Sequence, residues 1–297
     1  MTEAQPTSTR FPEPQEGENH IAIWGIEAAG KTAYLAMLLN AFLMPNDNRT
    51  KTTTKAGEVT SERIPDWRVG WSPTTHSEAV RNAYEDMVDK GIFPPPTQTG
   101  DHSFPVYEFY QRATNQHVFS FTFINGPGEM FRSPEDYNAK YNTGDIYDYL
   151  VKCKGTLLLL DPMSQMLGQF QAILRMLERL AHRFNPPFIP IPMAIVITKC
   201  DYPNMREAFG SGADDAGRVR EVALRIFQPA TVGLIENFST KHRWFASSAI
   251  GFKVGQPMNV YRRWDGRIGI RKPGDIQSLN VVSPLVWVAK ECGLIAT

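Results

Sequence analysis

Gly25-Ile26-Glu27-Ala28-Ala29-Gly30-Lys31-Thr32 is the stretch that decides how this chain is read. It fits GxxxxGK[ST], in which glycines let the backbone curl until its N–H groups point inward at a phosphate. Its surroundings have the form that such a loop needs. HIAIWG (His20–Gly25) is a short apolar strand running into it, and KTAYLAMLLNAFLM, which follows, carries strong helix formers and an apolar face. A helix opening directly after the loop adds positive potential for an anion. The expected nucleotide contacts are Gly25, Glu27, Ala28, Ala29, Gly30, Lys31, Thr32 and Ala33. Lys31 is expected to reach the β- and γ-phosphates, and the Thr32 hydroxyl to ligate Mg²⁺. A plain glycine turn with a solvated lysine is the competing reading, and it leaves the strand–loop–helix context unexplained.

Outward from the loop, strands and helices alternate. GTLLLLD (Gly155–Asp161) and IPMAIVIT (Ile191–Thr198) read as buried strands, and HRWFASS (His242–Ser248) as a last one. SQMLGQFQAILRMLERLAHRF is a long helix, and residues 214–238 are mostly helical. Nearly all-apolar strands separated by helices predict an α/β fold, a mostly parallel sheet with helices on both faces, and with the Gly25–Thr32 motif the expected type is a P-loop NTPase. SFPVYEFYQR and HVFSFTFIN, separated by ATNQ, form a hairpin that supplies one antiparallel strand. Residues 1–18 are polar and rich in Pro, Thr and Glu, and are expected to be a disordered tail. Residues 19–297 are expected to form one domain, with an insertion at about 45–102 that contains the amphipathic helix SEAVRNAYEDMVDKG. A C-terminal hairpin and helix complete it. The next helix after the central hairpin is expected to start at Ser133-Pro134, a serine cap with proline in the first turn.

Composition narrows the function classes. Lysine plus arginine is 31 and aspartate plus glutamate is 31, for a net charge of zero. That denies the chain the broad positive field of a non-specific nucleic-acid binder, so nucleic acid is not an expected partner. Three cysteines without CxxC spacing make no disulfide framework. No apolar stretch approaches the ~20 residues of a membrane span, and the N-terminus lacks a signal-peptide core. The expectation is a soluble cytoplasmic protein without a membrane anchor. The six histidines show no paired metal spacing.

Thr198-Lys199-Cys200-Asp201 leaves a buried strand in the second half and resembles the [N/T]KxD element of GTPases. Its aspartate would accept hydrogen bonds from guanine N1 and N2, with the lysine stem along the base. A carboxylate only accepts, and adenine offers no matching donor pair. Ser247-Ser248-Ala249 resembles the SA[K] element, whose backbone N–H reads guanine O6. Asn125-Gly126-Pro127-Gly128-Glu129 follows HVFSFTFI and resembles the DxxG element, with Gly128 N–H on the γ-phosphate. These elements, in this order over residues 25–249, resemble the Ras-like and Arf-like GTPases of the translation-factor-related class. GIEAAGKT is similar to the Arf loop, which also carries an acid at the position of Glu27. The resemblance implies GTP/GDP with Mg²⁺, and a protein effector or GTPase-activating partner.

Two departures bear on turnover. Asn125 stands where relatives have an aspartate that holds Mg²⁺ through water, and an amide brings no charge. Glu129 stands where many relatives place the glutamine that orients water, close to an anionic γ-phosphate. The catalytic candidates are thus Lys31, Gly128 and Glu129, and the metal candidates Thr32, Asn125 and a first-switch threonine. Thr97 is preferred to Thr99 for that last place. Hydrolysis is expected to be slow or to need a partner's arginine. A nucleotide-locked binding module and a P-loop ATPase are the alternatives.

VYRRWDGRIGIRK (Val260–Lys272) reads as a hairpin with an Asp-Gly turn, its arginines solvated or, with Trp264, facing a partner. This segment, the long insertion and the phrase VSPLVW (Val282–Trp287) resemble bacterial double-GTPase proteins, which are thought to work beside GTPase-associated partners.

Overall fold

The computed structural model describes residues 19–25, 29–43, 49–53, 59–63, 66–71, 75–94, 106–124, 146–163, 167–209, 213, 215–251, 259–273, 276 and 278–295. Outside them lie the expected tail 1–18, the helix start at Ser133, and the site candidates Glu27, Ala28, Thr97, Thr99, Asn125, Gly128 and Glu129.

The described strands are β1 (His20–Gly25), β2 (Arg49–Thr53), β3 (Val59–Arg63), β4 (Trp67–Trp71), β5 (Val106–Gln111), β6 (His117–Phe123), β7 (Gly155–Leu160), β8 (Met193–Ile197), β9 (His242–Ala246), β10 (Val260–Arg262) and β11 (Ile268–Ile270). The described helices are α1 (Lys31–Leu43), α2 (Thr75–Val88), α3 (Ile146–Lys152), α4 (Leu167–Ala181), α5 (Pro203–Phe209), α6 (Ala216–Ile226), α7 (Pro229–Phe238) and α8 (Ser283–Glu291). Seven strands form the main sheet in the order β4-β5-β6-β1-β7-β8-β9. β6, β1, β7, β8 and β9 are parallel neighbours, and β5 is antiparallel to both β4 and β6. A single strand thus runs against the rest, as the hairpin pattern predicted.

The parallel strands β1, β7 and β8 are buried along their whole length, which is why they read as unbroken apolar runs. The chain leaves β1 toward one side of the sheet and later returns to the other side, so the strand order reverses at β1. In open parallel sheets, ligands bind at the carboxyl ends of strands beside such a reversal.

The far edge of the sheet is β4. β4 extends the sheet beyond β5, and β2 pairs with β3 in a separate ribbon. Trp67 of β4 stacks on Phe42 of α1 at 5.9 Å and meets Phe119 edge-on at 5.3 Å, while Phe109 and Phe119 stack at 4.6 Å. Aromatic pairs of this kind add roughly 0.5–1.5 kcal/mol each beyond their buried area. α2 packs on α1 through Val80, Ala83 and Met87. That cover explains α1, in which Tyr34 through Leu39 and Phe42 are all buried: it is apolar on more than one face because it is enclosed on more than one face.

α8 lies against β7 and β8 through Leu285, Val288 and Ala289. A Cβ on Gly155 would sit 2.4 Å from Val288 Cγ1, so the bare glycine sets how closely this helix approaches. One expectation is corrected. The β10–β11 connection is not a two-residue Asp-Gly turn: Arg263 N–H bonds to Arg267 O at 2.8 Å, which draws Trp264 into the loop with Asp265 and Gly266. Gly266 takes the left-handed conformation (φ +79°) that such a three-residue loop needs at its last position.

Candidate functional site

Because β1, β7, β8 and β9 run parallel, their carboxyl ends share one edge of the sheet. Gly25 ends β1, Asp161 follows β7, Thr198–Asp201 follow β8, and Ser247 and Ser248 follow β9.

The phosphate-loop residues that are described have a defined arrangement. Gly25 packs so closely on β7 that a Cβ there would lie 2.5 Å from Leu159 O. Gly30 is left-handed (φ +73°), and its carbonyl accepts Tyr34 N–H at 2.8 Å, opening α1. Lys31 is the first residue of that helix and is 7% exposed, with Nζ donating to Gly25 O at 3.0 Å. The ammonium is therefore buried and turned back toward the end of β1. Thr32 is next on α1 and partly exposed, and Ala29 and Ala33 are buried.

The second half of the site begins at Thr198, whose hydroxyl donates to Leu160 O at 3.0 Å and ties the ends of β8 and β7 together. Lys199 is left-handed (φ 54°), an uncommon conformation for a long side chain, and turns the chain sharply. Its Nζ pairs with Asp161 Oδ2 at 2.8 Å, and its Cε lies 3.9 Å from where a Gly30 Cβ would be. Cys200 points inward, fully buried, with its N–H on Ser247 O at 3.1 Å. Asp201 is buried, and Ser248 Oγ donates to its Oδ1 at 2.7 Å. Burial pushes the Asp201 carboxyl above its ordinary range, and the Ser248 hydrogen bond works against that rise.

The loop after β9 is clamped from the C-terminal side. Ser248 N–H donates to Leu279 O at 3.0 Å, Leu279 N–H returns to Ser248 O at 2.9 Å, and Ser247 Oγ also donates to Leu279 O at 2.9 Å. Ser278 Oγ donates to Ala249 O at 2.6 Å. Tyr34 of α1 reaches the same segment, its hydroxyl donating to Val281 O at 2.7 Å.

The described part of the chain therefore brings Gly25, Gly30, Lys31, Lys199, Asp201 and Ser248 to one edge of the sheet. Two participants were not assigned from sequence. Asp161 was quoted only as the end of GTLLLLD, although an acid directly after a buried parallel strand is itself a signal. The Ser278–Leu279 clamp carries no motif and acts through backbone groups, so nothing in its residue types announces it.

The arrangement suits a guanine nucleotide. The buried Asp201 carboxylate, which accepts from Ser248 Oγ, gains from further N–H donors, and a buried lysine at the start of a helix suits phosphates. For a metal, Thr32 is the one described candidate, and no group of three His, Cys, Asp or Glu side chains gathers among the described residues. A magnesium ion that is held largely by phosphate oxygens and water needs few protein ligands, and Thr32 fits that mode.

Sheet order, loop and carboxylate define a P-loop nucleotide-binding protein of the GTPase class. The Double-GTPase 2 family matches residues 19–234, and the chain belongs to that family; it is a GTP-binding protein. No curated protein matches it. Among solved structures it is similar to the Arl6 (BBS3) small GTPase of Trypanosoma brucei with bound GppNp, at 11% identity over 93% of this chain and 98% of that one, TM-score 0.37. It is also similar to the signal recognition particle receptor SRb-GTP/SRX complex of Chaetomium thermophilum, at 15% identity over 80% and 94% of the chains, TM-score 0.36. The GTP-bound Ski7 GTPase-like domain of S. cerevisiae matches at 12% identity over 81% of this chain and 44% of that one, TM-score 0.38.

Proposed function

We propose that this GTP-binding protein is a GTP/GDP switch with slow Mg²⁺-dependent hydrolysis, acting in the cytoplasm on a protein effector. The observation that carries the reading is the buried Asp201 carboxylate oriented by Ser248, at the same sheet edge as the buried Lys31 ammonium. In this reading Lys31 leaves Gly25 O for the β- and γ-phosphates, and Asp201 accepts guanine N1–H and N2–H. Lys199 lies along the base. The guanine O6 contact belongs to Ala249 N–H, because Ser248 N–H is committed to Leu279 O. Magnesium, held by Thr32 and the phosphates with Thr97 and Asn125 as further candidates, would supply neutralisation of charge on the transferred group. Gly128 N–H and Glu129 complete the γ-phosphate side.

The nucleotide-locked alternative rests on Asn125 and Glu129, an amide and a second anion where charge neutralisation and water orientation are needed. A single-turnover assay with GTP and Mg²⁺ separates the two. The switch reading predicts slow, Mg²⁺-dependent phosphate release that Lys31→Ala abolishes; the absence of release, with and without an added arginine-bearing activator, favours the locked module.

No membrane-spanning helix occurs among the described residues.

A further inference from the structure

The β10–β11 hairpin presents an unusual surface. Among the described residues, five large hydrophobic side chains are exposed, and three of them, Tyr261, Trp264 and Ile268, lie on this one hairpin, with Trp264 94% exposed. Scattered exposed apolar side chains need no explanation, but three on one short hairpin, with a bare indole at its tip, do. The charge there is equally lopsided. Residues 259–273 hold Arg262, Arg263, Arg267, Arg271 and Lys272 against Asp265 alone, on a chain whose net charge is zero.

The hairpin is held in place. Ile270 is buried, its N–H donates to Gly91 O at 2.8 Å, and Gly269 bridges to Ile92 just beyond α2. Asn259 closes the base, accepting Arg271 N–H on its carbonyl at 3.1 Å and Lys272 N–H on Oδ1 at 3.0 Å. The Tyr261 ring lies across Gly269, where a Cβ would be 2.7 Å from Cε1. At the tip, Asp265 accepts Arg267 N–H at 3.1 Å and faces Arg263 Nε at 3.3 Å. The loop that carries Trp264 is therefore shaped before any partner arrives, which lowers the entropic cost of binding. Arg262 stands directly across the ladder from Ile268, so a cation and an aliphatic side chain share one face of the hairpin.

We propose that this hairpin is a docking surface for a partner protein segment in which carboxylates surround an apolar side chain, with Trp264 as the anchor and Arg262 and Arg267 as the flanking cations. Trp, Tyr and Arg are the residue types that dominate protein-interface hot spots. Charges around such an anchor steer and orient the partner. A nucleic-acid strand fits less well. The chain as a whole has no positive field, Asp265 sets a carboxylate at the tip, and Ile268 offers nothing to a base or a phosphate. The surface shares no residue with the nucleotide site, so the proposal stands apart from the switch reading.

The test uses the full chain and a synthetic peptide composed of Glu and Leu. Tryptophan emission is followed as the difference between the native protein and Trp264→Phe. Parallel titrations use oligo(dT) of equal charge and phosphatidylserine vesicles. The proposal predicts a saturable blue shift with the peptide, weakened at least ~tenfold by Trp264→Ala and by the double variant Arg262→Glu/Arg267→Glu, with GTP affinity unchanged in both. Peptide binding that is indifferent to these variants, tighter binding of the oligonucleotide or the vesicles, or no response to any probe would overturn it.

Discussion

The Lys199 ammonium lies 2.8 Å from Asp161 Oδ2, and the lysine stem that carries it passes beside Gly30, just before α1. Asp161 is buried while Lys199 is partly open to solvent, so the carboxylate is the fixed member and the lysine the one that it places. Its other oxygen accepts Met163 N–H at 2.8 Å, a bond that an asparagine can keep. Asp161→Asn is therefore expected to weaken GTP binding about tenfold, roughly 1.4 kcal/mol, without unfolding the chain. The effect should vanish in a Lys199→Ala background. A calorimetric double-mutant cycle measures this, and equal losses in both backgrounds would mean that Asp161 does not act through Lys199.

Lys31→Ala removes the ammonium buried over the phosphate loop. Triphosphate affinity should fall at least about tenfold, with the circular-dichroism spectrum unchanged. Unaltered GTP binding by calorimetry would remove Lys31 from the phosphate site.

Asp201 links the site to stability. Burial raises its pKa above the ordinary aspartate value. A carboxyl raised in the folded state contributes stability below its unfolded pKa and loses that contribution as pH rises through the folded value. Burial thus penalises the ionised form of Asp201 in the nucleotide-free protein. Asp201→Asn should raise the melting temperature of the empty protein at about pH 7. The gain should shrink on acidification through the Asp201 titration. On the native protein, GTP affinity should begin to fall at a pH above the usual carboxylate range, because protonation competes with guanine. A variant that melts lower at every pH would show that the charge is not a burden.

Gly155→Ala tests the closure of the sheet by α8. The new methyl would meet Val288 Cγ1 at 2.4 Å and Cys292 Sγ at 2.9 Å, both on or beside that helix. Overpacking of this kind costs roughly 1–3 kcal/mol. Urea unfolding should show a lower midpoint, and an unchanged midpoint would mean that α8 is free to shift.

Much of the architecture was legible in the sequence because parallel strands buried on both faces must be continuously apolar, as GTLLLLD and MAIVI are. The strand and helix that flank the glycine motif were legible because few sequences satisfy its spacing between two such elements. β4 was not: Trp67–Trp71 is short and sits among polar residues, and its place at the sheet edge is decided by long-range packing of Trp67 on Phe42 and Phe119. The hairpin turn was misread because Asp265-Gly266 favours a two-residue loop locally, while the Arg263–Arg267 pair fixes a longer one. In the site, the sequence names motif residues as candidates, but no motif marks the groups that support them. Asp161 and Leu279 act through a neighbour, and their importance appears only when the strand ends are brought together.

The central claim is that Asp201 reads guanine, and nucleotide choice tests it most directly. Two charge-assisted hydrogen bonds from guanine, worth ~1.5–3 kcal/mol each, together exceed the roughly 2.8 kcal/mol of a hundredfold preference. Asp201→Asn can present an N–H₂ where guanine also presents donors, whereas xanthine offers a carbonyl at that edge. Calorimetry with GTP, ATP and XTP on both proteins should give GTP over ATP by more than about a hundredfold on the native chain, and XTP over GTP on the variant. Equal affinity for GTP and ATP on the native chain would contradict the account.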